Sequence, residues 1–417
     1  MDSFFKVKRP DEVFEIINQF GPSGEETTSL PDSLGRVLSR DVVSSENLPN
    51  FTRSTVDGYA VTARDTFGAS EGLPALLEVS GEVLMGQAPN MLVRQGKAVK
   101  ISTGGMLPEG ADGVVMTEYC HLLDKNSLEV SRPISPLENV IQPGDDIKQG
   151  SIVLGKGHRL RPQDLGVMAG IGNREVLVYR KPRVAIISTG DEIVPIDRTP
   201  GPGQVRDINR STLEAFCKRE RTEPVYMGVC PDEFGSLRGL VERAQDMADT
   251  VWISGGSSVG TKDLTLKVFE VLRDFELLVH GISISPGKPT IIGRSGSQPV
   301  IGLPGHVASA LVVAEIFLTR LISRLSGERS GSGKFNTLVP AELGRNIESA
   351  GGREDYIRVK LVKNKETLIA EPVFGKSGLI STLVESDGLL RVDINTEGLY
   401  KGQKVEVMLF DPLNRGA

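Results

Sequence analysis

Cysteine and histidine are scarce in this chain. Cys120, Cys217 and Cys230 lie far apart and form no C-x-x-C pair, and the four histidines show no zinc-ligand spacing, so neither a disulfide scaffold nor a zinc enzyme is expected. Basic charge is not in excess: 48 lysines and arginines against 54 acids leave a net charge of −6, which argues against nucleic acid or an anionic membrane as partner. An anionic substrate must then be held by a local site. Long apolar runs are missing too. The longest candidate, residues 308–318, is interrupted by Glu315 and is too short to cross a bilayer. Residues 1–19 mix charged and polar residues with Phe4, Phe5, Val13, Phe14, Ile16 and Ile17, unlike the apolar core of a signal peptide. A cytoplasmic location is the expectation.

Glycine and proline, by contrast, are plentiful. The 47 glycines and 24 prolines among 417 residues imply many turns, loop-rich β modules and two to four domains. They concentrate most tellingly in residues 250–310. There three β-type runs (VWIS, a run ending in GISIS, and PVIG) spill directly into glycine, serine and proline, and two of the loops open into helical patterns. In an open α/β sheet such loops line the crevice beyond the carboxyl ends of the strands. Gly255, Gly256, Ser257 and Ser258 can turn several backbone N–H groups to one point, and a helix starting near Thr261 would add its N-terminal charge. Asp263 is expected in that helix's first turn, either as an ordinary first-turn carboxylate or as a ligand for a hard cation. Lys288 stands on a stiff loop between Gly287 and Pro289, and Pro304 and Gly305 form a second tight turn before a long apolar helix. Each loop alone reads more often as a tight βα turn; three together point to a polyanionic ligand.

The remaining chain divides by pattern. Residues 10–20 form an amphipathic helix ended by Gly21 and Pro22. Residues 76–140 are short β runs punctuated by glycine and proline, a small β module. From Arg183 strands and helices alternate, with Ser211 and Glu214 expected to cap the first helix as a capping box. After residue 329 a spacer leads to β runs expected to close as a small antiparallel barrel.

SGGSSVGTKD, SPGKP and GLPGHVASA, together with STGDE at residues 188–192, resemble the molybdopterin-binding domain of the MoeA family, to which the E domain of gephyrin also belongs. The resemblance covers nearly the whole chain. It implies a multidomain α/β plus β protein: an open, mostly parallel α/β molybdopterin-binding domain (182–328), an inserted β domain (53–149) within a discontinuous N-terminal domain (1–52 and 150–181), and a C-terminal β-barrel (329–417). It implies a magnesium-dependent transfer of molybdenum from molybdate to adenylated molybdopterin with release of AMP. The alternatives are a molybdopterin adenylyltransferase or a non-catalytic gephyrin-like scaffold. As partners it implies a second copy of the chain and other proteins of molybdenum cofactor biosynthesis.

Site residues carry over by motif. STVDGYA, residues 54–60, matches the segment whose aspartate serves the active site, here Asp57, and Thr103 falls in the matching threonine-glycine loop. Glu192 matches in STGDE. Asp232 is the candidate of the Pro231-Asp232-Glu233 run, with the choice between its two acids open. Asp57, Glu192, Asp232 and Asp263 are the expected Mg²⁺ ligands or water-ordering groups. Asp146 is the second acid of QPGDDI, although Ile141, Gln142 and Pro143 stand where the family has arginine. Arg358 and Ser381 match positions facing a partner subunit's cleft. His306 and Val307 replace the asparagine and second proline usual in the family's glycine-proline loop, and Ser285 stands where many relatives have lysine.

Overall fold

The computed structural model describes residues 7–255, 259–329, 337–364 and 367–411, with the side chains of residues 259–263 outside that description. Its central unit follows from the alternating pattern after Arg183. In order come strand β1 (Arg183–Thr189), helix α1 (Ile208–Arg219), β2 (Glu223–Cys230), α2 (Phe234–Met247), β3 (Thr250–Gly255), α3 (Val259–Glu270), β4 (Phe275–His280), β5 (Ile291–Ser295), β6 (Gln298–Leu303) and α4 (Val307–Val313). The sheet order is β2-β1-β3-β6-β5-β4. The first four run parallel; β5 is antiparallel to β6, and β4, antiparallel to β5, again runs with the first four.

Strands covered on both faces need apolar residues at every position, and residues 184–187 and 251–253 supply them. Val184, Ile186 and Trp252 pack under α1 and the long last helix, whereas Ala185, Ile187, Val251 and Ile253 pack under α2 and α3. That last helix runs from α4 through a π-turn (Ala314–Leu318) to Leu325.

Two expected helix starts are corrected. α1 begins before Ser211, because the side chain of Asp207 accepts the Arg210 N–H at 2.9 Å and serves as the cap. Ser211 therefore lies inside the helix, and Glu214 instead pairs with Arg210 at 3.2 Å. α3 begins at Val259 rather than near Thr261, which places Asp263 past the first turn.

Around this unit sit the β modules. Glu25–Ser29 pairs with Glu175–Tyr179, and Val42–Val43 with Ile152–Leu154, so segments before and after the inserted module share backbone hydrogen bonds. Between them a six-stranded sheet includes Gly58–Val61, Lys97–Ile101 and Gly113–Met116. Helix Pro10–Ile17 buries Val13 and Ile17 against the α/β unit, with the Phe14 and Phe317 rings 5.1 Å apart. Its apolar face thus belongs to the core of the parallel sheet, not to the module it precedes.

At the other end Glu354–Asn364, Thr367–Pro372, Leu338–Leu343, Lys404–Leu409 and Gly388–Val392 close into a five-stranded barrel. One junction, Glu342 and Leu343 beside Ile369 and Ala370, is parallel, so the barrel is not wholly antiparallel as expected. Ile284–Ser285 adds in parallel to Glu354 and Asp355, joining the Lys288 loop to the barrel. Among the described residues no helix is long and apolar enough to cross a membrane.

Candidate functional site

The carboxyl ends of β1, β2, β3 and β6 open on one edge of the sheet, at Thr189, Cys230, Gly255 and Leu303. Because β5 runs the other way, its first residue, Ile291, lies beside Gly302 and brings the Lys288 loop to the same edge. Gly255 is required there: a Cβ would run into the carbonyl oxygen of Thr189 on the adjoining strand. Gly256, Ser257 and Ser258, which continue this loop, lie outside the described residues.

Carboxylates crowd the edge. Thr189 Oγ1 donates to Asp232 Oδ1 at 2.7 Å, and the Asp232 N–H donates to Asp191 Oδ1 at 3.2 Å. Burial pushes the Asp232 carboxyl above the usual carboxylate range; the Thr189 hydroxyl opposes this, and the charges of Asp191 and Glu192 add to it. Glu233 is otherwise engaged: its oxygens accept the Gly235 and Ser236 N–H groups at 2.8 and 2.6 Å and cap α2. The inward acid of the Pro231-Asp232-Glu233 run is therefore Asp232. Glu192, exposed, folds back beside Gly190.

Asp57 lies on the inserted β module. Its Oδ1 accepts from the Thr103 N–H at 2.7 Å and from Thr103 Oγ1 at 3.1 Å, so the two sequence candidates form one exposed pair. No hydrogen bond or ion pair among the described residues joins that pair to Asp232 or Glu192. Among the described residues, likewise, no three acids, histidines or cysteines are gathered so as to hold a metal ion. The expected ligand set of Asp57, Glu192, Asp232 and Asp263 is thus not assembled by one chain's described side chains: Asp57 rides on the inserted module, away from the α/β unit that carries the other three, and the Asp263 side chain lies outside the described residues. Asp146 is exposed with its N–H bonded to the Leu48 carbonyl, while Asp145 closes the turn by accepting the Gln142 N–H at 2.7 Å.

The loops flanking the acids are stiff. Gly287 adopts φ +115 and is buried against Val313 and Ile284; its carbonyl accepts from Thr290 Oγ1 at 2.7 Å. Lys288 projects from this turn and is exposed. Pro304 is buried, and the Gly305 carbonyl accepts from Asn209 Nδ2 at 2.8 Å. The same nitrogen donates to Ser254 Oγ at 2.7 Å, so Asn209 ties the ends of β3 and β6 to the start of α1. Sequence reasoning missed Asn209; its only signal was an asparagine two residues after the capping aspartate. Arg358 is buried on the outer face of its barrel strand, opposite the core residues Ile357 and Val359, beneath the turn at residues 375–382: it donates to Thr382 Oγ1 at 3.0 Å and to the Gly375 carbonyl at 2.7 Å, and burial pulls its pKa down. Ser381 is exposed at the first turn of helix Ser381–Val384. His306 Nδ1 lies 2.8 Å from Ser377 Oγ.

A parallel sheet whose strand ends carry glycine turns, an exposed lysine and crowded acids, with a β module inserted before it and a barrel after it, defines a multidomain α/β protein with a candidate ligand site at the sheet edge. Family models match the MoeA N-terminal region (domains I and II) over residues 8–172, a Probable molybdopterin binding domain over 185–324 and the MoeA C-terminal region (domain IV) over 340–410. The chain is 32% identical to the molybdopterin molybdenumtransferase of Haemophilus influenzae over 94% of its own length and 95% of the relative's. It is 30% identical to that of Bacillus subtilis, over 96% and 93%. A crystal structure of the molybdopterin biosynthesis MoeA protein from Pyrococcus horikoshii superimposes with a TM-score of 0.83 at 38% identity, covering 97% of this chain and 100% of that one. The chain belongs to the MoeA family.

Proposed function

We propose that this protein is a molybdopterin molybdenumtransferase that carries molybdenum from molybdate to adenylated molybdopterin and releases AMP. The observation that carries the reading is the convergence of the Thr189–Asp232 pair, Glu192, the Gly255 turn and the Lys288 loop on one sheet edge. Its support from outside the site is the near full-length similarity to proteins named for that activity.

The physical problem is the crowding of negative charge, since dithiolene, phosphates and molybdate repel one another. Lys288 offsets part of this charge, and backbone N–H groups at the glycine turn would donate hydrogen bonds to phosphate oxygens. Asp232 and Glu192 fit a hard cation, because Asp232 is already held above its ordinary pKa by burial and by its acidic neighbours. Magnesium held there would supply charge neutralisation at the phosphate. Asp57 and Thr103 close the site from a second copy in a homodimer, which also explains why one chain leaves them apart. No protein nucleophile is required, and binding and orientation account for the catalysis.

The proposed domain limits are those that the sequence pattern and the family resemblance imply, 1–52 with 150–181, 53–149, 182–328 and 329–417. The strand pairings on either side of the insertion support them, and the packing of helix Pro10–Ile17 argues for moving that helix to the α/β unit.

Purified protein incubated with adenylated molybdopterin, Mg²⁺ and molybdate is expected to release AMP only when molybdate is present. Asp232→Asn is expected to lower the rate about 100-fold, the scale of a lost polar catalytic contact. Absence of molybdate-dependent AMP would reject the transferase, and ATP consumption with free molybdopterin would favour an adenylyltransferase instead.

A further inference from the structure

We propose that His306 is a positioning residue: it fastens the barrel turn at residues 375–378 to the loop following β6, so that the turn becomes one wall of the same anion site. The proposal rests on the functional reading above and deepens it.

His306 is exposed, follows Gly305, and holds Ser377 Oγ at 2.8 Å through its Nδ1. Two residues on, the Ala308 N–H donates to the carbonyl of the same Ser377 at 3.1 Å. One serine of the barrel therefore takes a side-chain bond from the cap of α4 and a backbone bond from that helix's first turn. On the barrel side the turn is braced by Arg358, which reaches the Gly375 carbonyl and Thr382. On the sheet side Asn209 clamps Gly305 to Ser254 at the end of β3. Bonds thus run from a barrel strand to the sheet's strand ends, crossing between modules at Ser377.

The residue type fits the task. An imidazole nitrogen serves as donor or acceptor according to tautomer, so it pairs with a hydroxyl in either sense. An asparagine amide places a polar atom where Nδ1 lies and can make the same bond. Alanine at 306 would leave Ser377 without its side-chain partner and the turn held by the Ala308 bond alone.

The test uses the full chain with His306→Ala, His306→Asn, Ser377→Ala and the His306→Ala/Ser377→Ala pair. Two readouts are taken: KM for adenylated molybdopterin, and hydrogen exchange at the Ala308 amide in the free protein. His306→Ala and Ser377→Ala are each expected to raise KM about tenfold, the scale of one lost hydrogen bond in a coupled contact. The double variant should be no worse than either single one, His306→Asn should stay near the parent, and Ala308 should exchange faster in His306→Ala. An unchanged KM, multiplied losses in the double variant, or His306→Asn as impaired as His306→Ala would overturn the proposal. If the parent protein itself shows no turnover, the functional reading fails and exchange at Ala308 decides the fastening alone: faster exchange in His306→Ala upholds it, and equal exchange sinks it.

Discussion

Gly255 shows how a single residue lets the sheet edge form. Where β3 ends beside β1, its Cα sits so near the Thr189 carbonyl that any side chain would force the strands apart. Thr189 is also the donor that holds Asp232, so a shift there reaches the acid directly. Gly255→Ala is expected to cost about 2 kcal/mol of stability, the scale of overpacking in a close contact, and to lower kcat/KM as well; a urea midpoint equal to the parent's would sink this account. The loop glycines were legible in the sequence because each stands directly after an apolar run, and Asp232 was legible as one of two acids at a helix start. What chose between Asp232 and Glu233 was capping geometry, which depends on where the helix begins and is not written in either residue. The roles of Asn209 and Arg358 were hidden as well, since their partners Ser254, Gly305, Gly375 and Thr382 are remote in the chain.

Among the elements, helix Pro162–Gly170 carries the best-defined titration. Asp164, buried in its first turn, receives bonds from Arg161 Nε at 3.0 Å and from the Arg161 N–H at 2.8 Å, and lies 2.7 Å from His158 Nε2. Burial alone would raise its carboxyl, but the bonds from Arg161 and His158 outweigh it and hold the pKa at about 2. A carboxyl whose folded pKa lies below its unfolded one stabilises the fold above the ordinary carboxylate range and loses that contribution as pH falls toward the folded value. Asp164 is therefore expected to contribute about 2 kcal/mol at neutral pH, lost between about pH 4 and pH 2. Urea midpoints followed across that range should fall more steeply for the parent than for Asp164→Asn, and parallel curves would show that other groups set the acid limb. In the sequence this helix is marked by the proline at its first position. The first helix, Pro10–Ile17, was equally readable, yet an amphipathic pattern states only that one face is covered. That its cover is Phe317 and the parallel-sheet core emerges only from the folded chain.

At the scale of the molecule, the alternating pattern sufficed for a mostly parallel α/β sheet, whereas neither the spatial order of its strands nor the joining of modules followed from any local signal. The sheet-edge acids and the Asp57–Thr103 pair are held on separate modules, each well braced where it stands. A site shared between two copies of the chain reconciles that separation with a single ligand, and it makes a quantitative demand. In a two-fold dimer of Asp57→Asn with Glu192→Gln, one site of each hybrid carries both substitutions and the other carries neither. Equal co-expression with random pairing makes half the dimers hybrids, so activity should recover to about a quarter of the parent's although each variant alone is nearly inactive. If Asp57 and Glu192 of the same chain formed the site, every site in the mixture would bear one lesion and no activity would return. AMP release measured on the separate and the co-expressed variants distinguishes the two arrangements without any assumption about how the modules move.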